Sequence, residues 1–233
     1  MARKALTIAD VLPKLSAIMN VLTSEQQEVV LKQLSIQQYK KNQPIYSEGD
    51  VPHYLLCLIS GKVKIYKEGV GGRAQIVRVV KPVEYFGYRA AFANENYVTS
   101  AAAFEPAVIV RLPMKTVVSL LQENAQLSWL FIQRLSTNLG QADARTVSLT
   151  QKHIRGRLAE SLLFLKESYG VEEDGCTISI YLSREDLANL SNMTTSNAIR
   201  TLSMFAAERL VAIDGRKIKI MDEAKLQRIS KIG

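Results

Sequence analysis

The chain has 233 residues, of which 47% are hydrophobic, and it carries 30 basic against 22 acidic side chains. This length allows two domains, and the apolar content supports buried cores. The absence of any run of about 18 apolar residues excludes an ordinary membrane span, and the N-terminus lacks the apolar segment of a secretory signal. Cys57 and Cys176 are too few for a disulfide framework or an iron–sulfur cluster. We therefore expect a cytoplasmic protein with no membrane partner and no metal centre.

The first half of the chain changes its hydrophobic period near Tyr39. Residues 8–38 are predicted to be helical because apolar side chains recur at spacings of three and four, and Thr23 begins a capping box. From Tyr39 to Leu112 the period becomes two, with short strands separated by glycine turns and a flexible hairpin tip at 69–72. Many short strands without a long helix predict an antiparallel barrel or roll.

A long helical region is predicted from Pro113 to about Leu149. One of its faces carries apolar side chains at steps of four, namely Leu127, Phe131, Leu135 and Leu139. This stripe either packs within the chain or forms the seam of a homodimer. We predict the seam, because a helix of this length cannot bury such a stripe on a small barrel alone.

The segment from Leu182 to Ile220 has the pattern of a winged helix-turn-helix. Ser183 is suited to cap a short helix, residues 191–193 to form a tight turn, and Thr194 or Thr195 to cap a second helix. The second helix is amphipathic, and its apolar face is predicted to consist of Ala198, Ile199, Leu202, Phe205 and Ala206. A strand, a two-residue turn at Asp214–Gly215 and another strand follow, which predicts the wing.

The outward face of the second helix is polar at its N-terminal end, where a recognition helix meets base edges. Arg200 can make a bidentate contact to guanine, and the short polar side chains before it can read bases or bind phosphates. The alternative is the solvated face of an ordinary helix. The residues predicted to contact double-stranded DNA are Ser183, Arg184, Thr194, Thr195, Ser196, Asn197, Arg200, Arg216 and Lys217.

The net charge of +8 suits a nucleic-acid partner, but it lies mainly outside the predicted DNA-binding segment. Residues 153–233 carry 12 basic and 11 acidic side chains, whereas residues 1–152 carry 18 and 11. Within 194–220, five basic residues stand against Glu208 and Asp214. The local charge is therefore positive but modest.

A roll, a long helix and a winged helix-turn-helix, in this order, resemble the Crp/Fnr family of bacterial transcription regulators. The matching motifs are Glu48-Gly49-Asp50, Ser60-Gly61-Lys62-Val63, Phe86-Gly87, Arg155-Gly156-Arg157-Leu158-Ala159 and the segment from Leu182 to Arg200. The resemblance implies an α+β fold with three parts. These are a cyclic-nucleotide-binding-like antiparallel β-roll with N-terminal helices (1–113), a long dimerisation helix and hinge (114–152), and a winged helix-turn-helix domain (153–233).

The resemblance also implies a function. A homodimer would bind a palindromic promoter site, contact RNA polymerase and respond to an effector sensed in the roll. Thr195, Ser196 and Arg200 match base-reading positions, but the first two depart from the Arg-Glu pair of the cyclic-AMP receptor. We therefore expect a different operator.

The effector site departs from the family pattern as well. The pairs that bind the ribose and the cyclic phosphate in the cyclic-AMP receptor match Gly87-Tyr88 and Val98-Thr99 here. Val98 takes the place of the arginine that binds the phosphate, and Tyr88 takes the place of the carboxylate that binds the ribose. Losing the cation that offsets a buried phosphate costs roughly several kcal/mol, so cyclic AMP is not expected. Arg89 is either an alternative cation for an acidic ligand or a surface residue. The predicted effector-binding residues are Phe86, Gly87, Tyr88, Arg89, Val98, Thr99 and Ser100; the effector, or whether one is needed, stays open.

The sequence argues against an enzyme and leaves one other class of function open. The chain has no G-x-S-x-G motif, metal-ligand spacing or phosphate-binding loop, so we predict no catalytic residues. His53 and His153 favour surface, cap or hinge roles over haem ligation. The remaining alternative is a cyclic-nucleotide-binding-like sensory module that acts through protein–protein contacts.

Overall fold

The computed structural model describes residues 6–69 and 72–232, which form two compact units. The first contains the described residues up to Lys67 together with Val77–Leu139, and the second contains Glu68–Ile76 and the described residues from Gly140 onward. Within the predicted hairpin tip, Val70 and Gly71 lie outside the described residues. No helix in the described part of the chain combines the length and apolar character needed to cross a bilayer.

Short helices precede the roll. They are α1 (Ile8–Val11), a 3-10 helix (Leu12–Leu15), α2 (Ser16–Met19) and α3 (Ser24–Gln33). The predicted capping box is confirmed, because the Thr23 hydroxyl accepts from the Gln26 N–H at 3.3 Å and the Gln26 side chain accepts from the Thr23 N–H at 3.2 Å. The helical prediction to residue 38 was wrong. The backbone becomes extended at Leu34, and the next residues pair with a strand distant in sequence.

The roll consists of two four-stranded antiparallel sheets. Its strands are β1 (Ser35–Tyr39), β2 (Pro44–Tyr46), β3 (Tyr54–Ser60), β4 (Val63–Glu68), β5 (Ala74–Val80), β6 (Tyr85–Phe86), β7 (Ser100–Ala103) and β8 (Ala107–Pro113). One sheet has the order β1-β8-β3-β6 and the other β2-β7-β4-β5. Gly61, at φ 89°, permits the turn before β4, where a Cβ would lie 2.5 Å from the Pro106 carbonyl oxygen. The predicted antiparallel roll is confirmed.

Strand β3 is buried on both faces, which explains its unbroken apolar sequence. Alternate side chains of a strand point to opposite faces. Leu56 and Leu58 pack inside the roll, whereas Leu55, Cys57 and Ile59 pack on the other face in the core that includes the N-terminal helices. The roll unit therefore has an interior core and a second core under its helices.

The helical region after the roll is interrupted rather than continuous. It comprises α5 (Met114–Glu123) and α6 (Ala125–Gln151), while a short helix, α4 (Tyr88–Phe92), follows β6. Asn124 separates α5 from α6: its amide nitrogen donates to the Val21 carbonyl and to Gln26 Oε1, both at 2.8 Å. Its amide oxygen accepts from the Leu127 N–H at 2.9 Å, which caps α6.

The predicted dimer seam needs correction. Leu127 and Phe131 are only 1% and 2% exposed and lie in the core beneath the roll's helices, and Leu135 packs against that core. Leu139 alone of the four is exposed, at 64%. For the first three, packing within the chain holds, because the helices of the roll unit, α4 among them, supply the apolar surface that a barrel alone would lack. The face that stays exposed on this part of α6 carries Trp129, Ile132 and Leu139.

The second unit contains the predicted winged helix-turn-helix. Its further elements are α7 (Ile154–Tyr169), α8 (Arg184–Leu190), α9 (Thr195–Ala207), β9 (Val211–Asp214), β10 (Lys217–Ile220) and α10 (Glu223–Ile232). Fully buried side chains from several helices, including Leu158, Leu187 and Phe205, form its core. The wing turn lies one residue later than predicted: Asp214 pairs with Lys217, which leaves Gly215 and Arg216 at the tip.

Candidate nucleic-acid interface and effector site

Each helix of the helix-turn-helix begins directly after a residue whose side chain caps it. The Ser183 hydroxyl accepts from the Asp186 N–H at 3.0 Å, and the Thr194 hydroxyl accepts from the Asn197 N–H at 3.2 Å. Between the helices, Asn192 has a φ of 50°, the left-handed conformation that asparagine tolerates. Ser183 and Thr194, both predicted to contact DNA, therefore serve first as caps.

The outward face of α9 presents four of the nine predicted DNA-contacting residues together. Thr195, Ser196 and Arg200 are exposed at its N-terminal half, and Arg200 Nη2 donates to Asn197 Oδ1 at 2.8 Å. This bond orients the guanidinium along the polar face. Ile199, which the helical pattern assigned to the buried side, is 47% exposed and lies on this face.

The wing is attached to the start of α8. Arg184 Nη2 donates to the Gly215 carbonyl at 2.8 Å, so this predicted DNA contact holds the wing tip. Arg216 and Lys217 are exposed on the wing. Lys217 Nζ lies 3.6 Å from Glu172 Oε2 and 5.4 Å from the centre of the Tyr181 ring. Its charge is thus already in an ion pair within the chain.

An arginine on α7 braces the C-terminal end of α9. The Arg155 guanidinium donates to both carboxylate oxygens of Glu208, at 2.8 and 2.9 Å, and lies 5.1 Å from the centre of the Phe205 ring. The same hydrogen bonds raise the pKa of Arg155 and lower the pKa of Glu208. The pair fixes how α9 packs on α7.

In the roll, the residues predicted to bind an effector have different environments. Phe86 and Tyr88 are 1% and 3% exposed, whereas Arg89 is exposed and both of its terminal nitrogens donate to Glu95 at 3.2 Å. Gly87 begins α4 at φ 82°, where a Cβ would come within 3.0 Å of the Tyr97 hydroxyl. A side chain at this position would therefore be strained.

The second group of predicted effector residues lies at the start of β7. Val98 and Thr99 precede the strand, and Ser100 is its first residue. Val98 is 45% exposed, and its carbonyl accepts from Lys67 Nζ at 2.9 Å. The Ser100 hydroxyl accepts from the Glu48 N–H at 2.9 Å. Thr99 hydrogen-bonds the hydroxyl of Tyr46, a residue that the sequence pattern did not identify.

Buried tyrosines and two arginines connect these groups. Tyr46 stacks on Tyr97 with ring centres 3.8 Å apart, and burial raises the pKa of Tyr46 to about 12, an effect that the nearby Arg78 and Arg89 partly oppose. Burial also raises the pKa of Tyr88, an effect that the nearby Arg78 and Arg134 partly oppose. The predicted effector site therefore combines aromatic surface, phenolic hydroxyls and cations.

One hydrogen bond joins the predicted effector site to the long helix. Asn138 of α6 donates from Nδ2 to the Tyr88 hydroxyl at 3.2 Å. Arg78, whose charge also acts on Tyr88, donates from Nη2 to Glu84 Oε2 at 3.2 Å. The sequence carried no signal for Arg78 or Asn138, because only the fold brings β5 and α6 to Tyr88.

The two histidines lie at structural positions. The His53 carbonyl accepts from the Met114 N–H at 2.8 Å at the start of α5. His153 occupies the N-cap position of α7, and its carbonyl accepts from the Arg157 N–H at 3.0 Å. The His53 carbonyl thus supports the first turn of α5, and His153 occupies a cap position, one of the roles offered for it, without a side-chain cap hydrogen bond.

Comparison with known proteins identifies both halves. Residues 36–124 match the cyclic nucleotide-binding domain and residues 156–229 match the Crp-like helix-turn-helix domain. A CRP-like cAMP-activated global transcriptional regulator of Mycobacterium tuberculosis is 24% identical over 198 residues, which are 84% of this chain and 88% of that protein. A global nitrogen regulator of Nostoc is 26% identical over 196 residues, 83% of this chain and 88% of the relative.

Solved structures agree on the fold. FixK2 from Bradyrhizobium japonicum superposes with a TM-score of 0.77 at 20% identity, covering 84% of this chain and 96% of that one. A putative transcriptional regulator of the Crp/Fnr family from Eubacterium rectale superposes with a TM-score of 0.78 at 18% identity, covering 92% of this chain and 97% of that one. With a cyclic nucleotide-binding domain followed by a Crp-like helix-turn-helix on a matching fold, the chain belongs to the Crp/Fnr family of transcription regulators.

Proposed function

We propose that this regulator binds a palindromic site in double-stranded DNA as a homodimer in the cytoplasm, with α9 in the major groove. The observation that carries this is the exposed polar face of α9, where Arg200 is oriented by Asn197 at 2.8 Å. A guanidinium presented in this way can make a bidentate contact to guanine. A two-fold dimer would place two such helices in successive major grooves, about one helical turn apart.

The proposed seam of the homodimer is the exposed apolar face of α6. Trp129, Ile132 and Leu139 are 59%, 49% and 64% exposed, at spacings of three and seven residues along one side of the helix. These spacings fit the seam of a coiled coil. The seam replaces the one predicted through Leu127 and Phe131.

The roll is proposed to hold a small effector other than cyclic AMP. Val98 stands where the resemblance implies the phosphate-binding arginine, and Tyr88 stands where it implies the ribose-binding carboxylate. Arg78 and Arg89 lie near the Tyr46 hydroxyl instead, and an acidic ligand would compete with Glu84 and Glu95 for them. A ligand that displaces Tyr88 would strain its bond to Asn138, and so shift the population of α6 conformations. Coupling of about 1–3 kcal/mol would change operator affinity five- to 150-fold.

The proposal is tested with DNA first. A site is selected from a random duplex library with the full-length protein, and binding to this site and to random duplex is measured across a salt series. We expect a palindromic consensus, tighter binding to it than to random duplex, and affinity that falls steeply with salt. If no sequence is enriched and no duplex is bound in dilute buffer, the sensory module acting through protein contacts replaces this proposal.

Two further parts of the proposal have their own measurements. Titration of cyclic AMP in a calorimeter should give no binding isotherm at micromolar protein, and a clear isotherm would overturn the exclusion. Contact with RNA polymerase should appear as a larger complex when polymerase is added to the protein on its selected site. A promoter fragment that carries the site but recruits no additional polymerase would point to repression.

A further inference from the structure

The loop between α7 and α8 is attached to the wing through an isolated antiparallel β-bridge between Thr177 and Lys219. We call residues 171–178 the acidic loop, because they include Glu172, Glu173 and Asp174. The Ile178 N–H donates to the Ile218 carbonyl at 3.0 Å. Likewise, the Ile220 N–H donates to the Cys176 carbonyl at 2.9 Å. These bonds fix the loop beside strand β10 of the wing.

The tip of the acidic loop has a defined conformation of its own. The Asp174 carboxylate accepts from the Cys176 N–H at 3.0 Å, from the Thr177 N–H at 2.8 Å and from the Thr177 hydroxyl at 2.6 Å. The hydrogen bonds from Thr177 and Cys176 hold the pKa of Asp174 well below its usual range. The loop thus presents a permanent negative charge at a fixed place.

Two lysines of the wing are paired with this loop. Lys217 Nζ lies 3.6 Å from Glu172 Oε2, and Lys219 Nζ lies 3.1 Å from Asp174 Oδ2. Hydrogen bonding to Asp174 raises the pKa of Lys219. All four side chains are between 32% and 46% exposed, so a phosphate can reach the lysines. Each lysine therefore has a carboxylate partner that a DNA phosphate must displace.

We propose that the acidic loop is an intramolecular competitor for DNA phosphate at the wing. The inference rests on the proposed DNA-binding function. A carboxylate and a phosphate oxygen compete for the same ammonium group, and phosphate contacts provide most of sequence-independent affinity. Base reading by α9 is a separate contribution. The loop thus lowers affinity for every duplex by a common factor and leaves the preference for the operator to α9.

The experiment compares two isosteric variants with the same change of charge. Glu172→Gln removes the partner of Lys217. Glu173→Gln is the control, because Glu173 is exposed and makes no ion pair with a wing lysine in the described part of the chain. Affinity for the selected site and for random duplex is measured by fluorescence anisotropy across a salt series. Asp174 is left intact because its carboxylate caps the loop.

We expect Glu172→Gln to tighten binding to both duplexes by about two- to fivefold for each wing, the range of an exposed ion pair. The slope of log affinity against log salt should steepen by up to about one for each wing, since one more lysine binds phosphate freely. Glu173→Gln should have a smaller effect, limited to its longer-range charge. In a Lys217→Gln background, Glu172→Gln should lose most of its effect.

Each alternative outcome is distinct. Equal effects of Glu172→Gln and Glu173→Gln, or an undiminished effect without Lys217, would overturn the competition while leaving DNA binding intact. A gain on random duplex alone would show that the loop acts on sequence preference, which also contradicts the proposal. If the unaltered protein binds no duplex, the proposed function fails and this inference fails with it.

Discussion

Leu127 and Leu139 provide a test of the revised seam, because they are the same residue type on one helix with opposite environments. Leu127 is 1% exposed in the core under the roll, and Leu139 is 64% exposed. We expect Leu127→Ala to destabilise the fold and Leu139→Ala to weaken the dimer. Each variant thus serves as the control for the other.

The magnitudes follow from burial. Leu127→Ala leaves a cavity in a packed core, which costs about 2–5 kcal/mol. Burying a leucine is worth about 1.5–3 kcal/mol when it is complete, so covering the exposed 64% of Leu139 is worth roughly 1–2 kcal/mol in each protomer. Alanine keeps part of this contribution. The loss for two copies is then about 2–3 kcal/mol, which raises the dimer dissociation constant about 30- to 150-fold.

The assays separate the two effects. Urea unfolding of the roll unit reports Leu127→Ala, and sedimentation velocity across a dilution series reports Leu139→Ala. Trp129 is the one tryptophan of the chain and lies on the proposed seam, so its emission should shift to shorter wavelength as the dimer forms. The seam is refuted if Leu139→Ala leaves the dissociation constant unchanged, or if dimer formation leaves the Trp129 emission at that of an exposed indole.

Three other predictions concern the DNA-binding unit. Arg200→Ala should cost about 1–3 kcal/mol on the selected site and relax the preference at one base pair per half-site; equal losses on selected and random duplex, measured by anisotropy, would reduce Arg200 to a phosphate contact. Ile199, 47% exposed on the polar face, should contact a thymine methyl. Replacing that thymine by uracil should then weaken the unaltered protein and not Ile199→Ala, and an equal loss in both would refute the contact. Glu208→Gln should lower stability to urea by up to about 1 kcal/mol at neutral pH. Because Arg155 depresses the folded-state pKa of Glu208, this difference should be present above about pH 4.3, the usual glutamate value, and disappear as pH falls through the depressed pKa; a constant difference would exclude the ion pair as its cause.

The helix-turn-helix could be predicted because its signals are local. Ser183 and Thr194 each cap the helix that begins one residue later, and Asn192 takes the left-handed conformation within the turn. Such interactions span three or four residues and are visible in sequence. Ile199 was misassigned because a helical pattern identifies apolar positions without specifying whether a neighbouring helix covers them.

The proposed dimer seam and the predicted effector site depend on contacts between segments that are distant in sequence. The hydrophobic period of one segment carries no information about such contacts. A stripe at steps of four predicts that α6 buries one face but does not identify what covers it. Phe131 packs edge-on against Tyr88 and Phe92 of α4, and Asn124 links α6 to Val21 across 103 positions. Tyr88 meets Asn138 across 50 positions in the same way. The resemblance predicted the effector residues and their neighbour Arg89, whereas Arg78 and Asn138 are brought to Tyr88 only by the fold.

The net charge of the DNA-binding segment is a poor guide to its surface, because its carboxylates have particular partners. Glu208 neutralises Arg155 at the C-terminal end of α9, far along the helix from its base-reading face, and Glu223 pairs with Lys166. Arg200, in contrast, is held by the neutral amide of Asn197, and no carboxylate in the described ranges pairs with it. A nearly balanced count of charges therefore leaves the recognition helix positive at its reading end. The wing is where acidic residues do pair with lysines that we propose to bind DNA phosphate, so removing Glu172 should change binding in a way that removing an acid elsewhere in this unit should not.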